Sequence, residues 1–109
     1  MSTHRSAFRE AQRRAAGRGG RVDIALPSGR TLCALTASGR RATEIEHSGS
    51  FERLLCAAER LAEIGVRESV LQVPQPHMAL AAEAMRQVGV IGTVKNIGGT
   101  RKIRVRAKF

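Results

Sequence analysis

The stretch Ala57-Ala58-Glu59-Arg60-Leu61-Ala62-Glu63-Ile64-Gly65-Val66 recurs 24 residues later as Ala81-Ala82-Glu83-Ala84-Met85-Arg86-Gln87-Val88-Gly89-Val90. Each copy is an Ala-rich amphipathic run, a Gly stop and then a β-branched run, Ser69-Val70-Leu71-Gln72-Val73 and Thr93-Val94-Lys95-Asn96-Ile97. Helix then strand, twice over, restricts the chain to an α/β arrangement. In helix 51–64, Phe51, Leu54, Leu55, Ala58, Leu61 and Ala62 fall at helical spacing, with Glu52, Arg53, Glu59, Arg60 and Glu63 outside. Ser48 or Ser50 is the expected N-cap, and Gly65 the left-handed stop. Pro74-Gln75-Pro76 forces a turn into helix 77–88, where Pro76 suits the first turn. That helix should bury Met78, Leu80, Ala81, Ala84, Met85 and Val88. Strand, helix and strand within so short a span predict a right-handed parallel crossover.

Upstream, 21–26 and 31–36 are β-prone around Pro27-Ser28-Gly29-Arg30, a hairpin turn. Ser38-Gly39-Arg40-Arg41 is a second turn, and 42–46 a third strand. Downstream, Gly98-Gly99 predicts a two-residue turn with positive φ at both positions. Strand 101–109 returns with Ile103, Val105, Ala107 and Phe109 on one face and Lys102, Arg104, Arg106 and Lys108 on the other. If Ile97 pairs with Thr100, Lys95 lies opposite Lys102. The expected fold is α/β (α+β): a two-layer mixed sheet, β-β-β-α-β-α-β-β, over residues 21–109, with a basic N-terminal arm or helix over 1–20. At 109 residues one modest core is affordable, built from aliphatic side chains because only three Phe, and no Trp or Tyr, are present.

Charge indicates the partner. The net charge of +10 exceeds what solubility requires and implies a polyanion. Nucleic acid comes first, an anionic membrane or acidic protein second. Residues 1–41 hold nine Arg against Glu10 and Asp23, residues 42–94 four Arg against seven Glu, and residues 95–109 six cations and no acid. The helical middle is mildly acidic, so a helix-in-groove DNA reader is not expected. Strands, turns and an arm are the expected contacts, which favours RNA in a ribonucleoprotein. Lack of Tyr and Trp argues against binders that stack bases. Same-face residues repeat every ~6.6 Å along a strand, near the spacing of successive phosphates. Lysines directly opposite one another destabilise a sheet unless something neutralises them. Protection of an edge strand would explain one or two cations, not four in register. The candidate patches are Lys95, Arg101, Lys102, Arg104, Arg106 and Lys108, and Arg5, Arg9, Arg13, Arg14, Arg18 and Arg21, with Arg40 and Arg41 between. Six neutralised phosphates give a log–log salt slope of about −5.

Arg5, Arg9 and Arg13 share a face if residues 1–20 are helical, with Phe8, Ala11 and Ala15 as a weak opposite stripe. A docked helix, a basic arm that orders on RNA and a transit-type segment compete, and the arm is preferred slightly. Cys33 and Cys56, lone among apolar neighbours, are expected to be buried and reduced, which suits cytosol or an organelle matrix. No apolar run suits a membrane span or a signal peptide. His4, His47 and His77 never reach metal-ligand spacing, so no metal or cofactor is expected. Cys33 or Cys56 with His47 rises no higher than buried thiols. Glu44 and Glu46 read as surface partners of Arg40 or Arg41. No catalytic set is identified, and an enzyme is not expected. The alternative is a small basic adaptor or inhibitor that binds an acidic protein.

The hairpin around Thr31-Leu32-Cys33-Ala34-Leu35-Thr36-Ala37-Ser38-Gly39 leads to a helix ending Glu63-Ile64-Gly65-Val66. Strand 69–73, a helix ending Val88-Gly89-Val90, strand 93–97 and a basic tail follow. Over residues 22–97 this order resembles the universal small-subunit platform protein of the ribosome, the S-eleven family. The resemblance implies a strand–strand–strand–helix–strand–helix core that binds ribosomal RNA with loops and tails, beside other ribonucleoprotein components. Pro27-Ser28-Gly29-Arg30, Pro74-Gln75-Pro76 and the C-terminal hairpin depart from the family pattern, so only the basic tail carries over.

Overall fold

The computed structural model describes residues 3–106, with side chains from Ser6 onward. The elements are α1 (Thr3–Ala16), β1 (Arg21–Ala25), β2 (Thr31–Leu35), β3 (Arg41–Ile45), α2 (Phe51–Ile64), β4 (Glu68–Val73), α3 (Met78–Val88), β5 (Gly92–Asn96) and β6 (Lys102–Val105), with a 3₁₀ turn over Gln75–His77 before α3. The six strands form one sheet in sequential order, β1-β2-β3-β4-β5-β6. Pairing is antiparallel from β1 to β3, parallel across β3-β4-β5, and antiparallel again at β6.

The repeat builds the parallel centre. Gly65 and Gly89 end the two helices in the left-handed region, at φ 58 and 89, and each helix returns the chain to a strand beside the previous one. Ser50 is the N-cap of α2. Gly92 lets β5 lie close to β4, because a Cβ there would strike the Ser69 carbonyl. Helices α2 and α3 lie on one face over Leu32, Leu35, Ala42, Leu71, Val73, Val94 and Val105, the apolar core. Ala62 and Leu80, expected in that core, are exposed, and Ala57 and Ala82 are buried instead.

Residues 3–16 form a helix rather than an arm, and it docks on the opposite face, over β1–β3. Ala11, Gln12 and Ala16 are buried. Gln12 Nε2 donates to Asp23 Oδ1 at 2.9 Å and to the Cys33 carbonyl at 3.1 Å. Leu32 and Leu35, three apart on β2, both enter the α2-side core, which strict alternation forbids. The break falls between them: Cys33 N–H donates to Glu44 Oε1 at 2.7 Å, and its carbonyl serves Gln12. Glu44 is therefore no surface partner of Arg40 or Arg41. It is buried, with Arg60 Nε at 3.0 Å. No helix among the described residues is long and apolar enough to cross a membrane.

Candidate nucleic-acid interface

Because α1 covers only β1–β3, the same face of β4–β6 is left open. Alternation decides which side chains line it. Ala42, Leu71, Val73, Val94 and Val105 point to α2 and α3, so Arg41, Glu68, Val70, Gln72, Thr93, Lys95, Lys102 and Arg104 occupy the other face. The register pairs Lys95 with Lys102 and Thr93 with Arg104, as the sequence spacing anticipates.

The turn that sets this register is longer than a two-residue hairpin. Asn96 N–H donates to the Arg101 carbonyl at 3.2 Å, and Gly99 N–H to the Asn96 carbonyl at 3.0 Å. Only Gly99 of the glycine pair has positive φ, 72. Asn96 Oδ1 accepts the Thr100 and Arg101 N–H groups at 2.8 and 3.0 Å, and its Nδ2 donates to Thr100 Oγ1 at 2.9 Å. That side chain holds four loop residues in one shape. Asn96→Ala leaves two N–H groups to solvent and is expected to cost about 1–2 kcal/mol, read as a lower urea midpoint. Asn96→Asp keeps the acceptor and should lose less; equal losses would contradict this role.

Two clefts meet on the open face. One of about 200 Å³ lies between Ala11, Arg14 and Ala15 of α1 and Ile97, Gly98 and Gly99 of the turn. The other, about 300 Å³, spreads over Glu68, Thr93, Lys102 and Arg104. They share Arg41, Val70 and Lys95, so they form one groove. Its single carboxylate, Glu68, is already engaged: Arg41 donates to Glu68 Oε2 from Nη2 at 2.8 Å and from Nε at 3.0 Å. Those bonds hold the Glu68 carboxyl below its ordinary pKa. Among the described residues no ion pair involves Lys95, Lys102 or Arg104. Burial lowers the Lys95 ammonium pKa first, then Lys102 and Arg41 beside it, against Glu68. An approaching anion offsets the repulsion from Lys102 and Arg41.

The other expected cations are spread out. Arg9, Arg13 and Arg18 are exposed on α1 and its following turn, and Arg14 rims the groove beside Glu10 at 3.7 Å. Arg21 on β1 and Arg40 in the β2–β3 turn are exposed away from the groove lining. Arg101 and Arg106 flank β6, both exposed. The strand expected over 101–109 is described as Lys102–Val105; Lys108 lies outside the described residues, as does the side chain of Arg5. Arg30 is consumed by α2, 3.3 Å from Glu59 and 3.8 Å from Glu63. Sequence reasoning overlooked Thr43, Val70, Gln72 and Thr93 as groove floor. They carry no charge pattern; Thr43 and Val70 are themselves buried, and only the partial cover by α1 makes the four a groove floor.

Burial, then the Glu44 carboxylate, pushes the Cys33 thiol up to about 12, so it stays protonated at neutral pH. Cys56, expected to be buried, is exposed on α2. No protein-family model, characterised protein or solved structure matches this chain.

Proposed function

We propose that this protein binds nucleic acid by electrostatic contact with the phosphate backbone, RNA within a ribonucleoprotein in preference to duplex DNA. The observation that carries the reading is the convergence of Arg41, Lys95, Lys102 and Arg104 on one uncovered half-sheet, with one acid among them. Lysines placed directly opposite on neighbouring strands repel, and a polyanion relieves that repulsion. Arg41, Lys95, Lys102 and Arg104 sit on strands and not on a helix that could enter a major groove, which supports RNA, and Arg14 reaches the groove from α1 at its rim. The place among ribonucleoprotein components is proposed from the resemblance to the ribosomal platform protein, which implies a strand–strand–strand–helix–strand–helix core that binds RNA.

Nuclease treatment during purification tests the reading. Absorbance at 260 nm that co-purifies with the protein should be lost on RNase treatment. A nuclease-insensitive complex with an acidic protein would overturn it in favour of an adaptor.

A further inference from the structure

The cations of the open half-sheet lie in a recess. Lys95 is half-buried between the α1 side and β6. At one end the recess is closed on two sides, by Arg14 and Ala15 of α1 and by Gly98 and Gly99 of the β5–β6 turn. Its floor from β4 to β6 spans two strand spacings, about 10 Å. Helix α1 stands beside that floor with a helix's diameter of about 10 Å. At that end, between α1 and the β5–β6 turn, a duplex, whose major groove alone is about 12 Å wide in DNA, is too broad to descend to Lys95. A single sugar–phosphate chain is narrow enough.

The placement of charge suits such a chain. Lys95 and Lys102 face each other at one level, and Arg104 follows two residues along β6, about 6.6 Å away. Among the described residues no aromatic side chain lines either cleft, so the floor offers bases no stacking platform. Resting on the nucleic-acid reading, we infer that the groove takes one single-stranded segment of RNA. Its phosphates lie inward on the cations, its bases face solvent, and base identity matters little.

Fluorescence anisotropy of the full chain tests this with oligouridylate, oligoadenylate and an RNA duplex, each about twelve nucleotides long. Both single strands should bind about tenfold or more tighter than the duplex at equal salt, and within about threefold of each other. Ala15→Trp fills the closed end without changing charge. It should lower single-strand affinity about tenfold and leave the weaker duplex binding unchanged. Gly98→Trp fills it from the other wall, where an added Cβ meets nothing within 4 Å and φ is not positive, and should act alike if Ala15→Trp fails to fold. Duplex binding as tight as single-strand binding, or a folded Trp variant with unchanged single-strand affinity, would overturn the inference while leaving nucleic-acid binding standing. Failure of all three probes to bind would remove the underlying reading as well.

Discussion

Arg60→Ala is expected to destabilise the domain by about 3–5 kcal/mol, a melting-temperature drop on the order of 10–20 °C. Glu44 is 1% exposed, and Arg60 Nε at 3.0 Å is its only ion-pair partner among the described residues. Removing the guanidinium leaves a buried carboxylate whose remaining hydrogen bonds come from Cys33. Arg60 is about a fifth exposed, so the lower end of the range is expected. Burial already holds the Glu44 carboxyl above its ordinary pKa, against the opposing pull of Arg60 and the Cys33 N–H. A carboxyl raised on folding contributes stability below its unfolded pKa and loses it as pH rises through the folded value. Without Arg60 the folded value rises further, so the penalty should be largest at neutral pH and shrink on acidification below the ordinary glutamate range. Thermal unfolding of both proteins across that range checks the sign. An equal drop at acid and neutral pH would contradict it.

Lys102→Glu separates binding from folding. The new carboxylate would stand opposite Lys95 and replace a repulsive cross-strand pair by an attractive one, a gain of about 0.2–1 kcal/mol. It would also return the Lys95 pKa toward its ordinary value, because Lys102 is one of the groups that depress it. RNA affinity should nevertheless fall more than about tenfold, since one phosphate contact is lost and a negative charge enters the groove. Unfolding midpoint and anisotropy, measured on the same preparation, should move in opposite directions. A cation cluster kept at the expense of stability is the mark of a binding surface. A variant that loses stability and keeps its affinity would show that the lysines serve the sheet.

The features legible in the sequence are those carried by local chemistry. Gly65 and Gly89 mark the helix ends because few other residues adopt their backbone conformation, and the alternation after Gly99 by itself places Lys102 and Arg104 on one face. The docking of α1 is legible only as one of three readings, from the weak stripe of Phe8, Ala11 and Ala15. It buries two alanines and Gln12, whose partners are a backbone carbonyl and an Asp23 held at φ 53, and their hydrophobic signal is too weak to select that reading. Glu44 and Arg60 are 16 residues apart on different elements, and helical periodicity alone assigns Arg60 to solvent. The groove is hidden for a related reason. Its floor of Val70, Gln72 and Thr93 becomes a site only because α1 stops at β3, a tertiary fact with no counterpart in local pattern.

The central claim is that the groove cations neutralise phosphates, and the salt dependence of RNA binding tests it most directly. Arg14, Arg41, Lys95, Lys102 and Arg104 engaging a single strand give a log–log slope of about −3.5, shallower than the sequence-based value because the described groove holds fewer cations and a single strand releases fewer counterions. Replacing Lys95, Lys102 and Arg104 together by alanine should flatten the slope to about −1.4. A slope unchanged by that triple substitution would place the bound phosphates elsewhere on the protein and contradict the account.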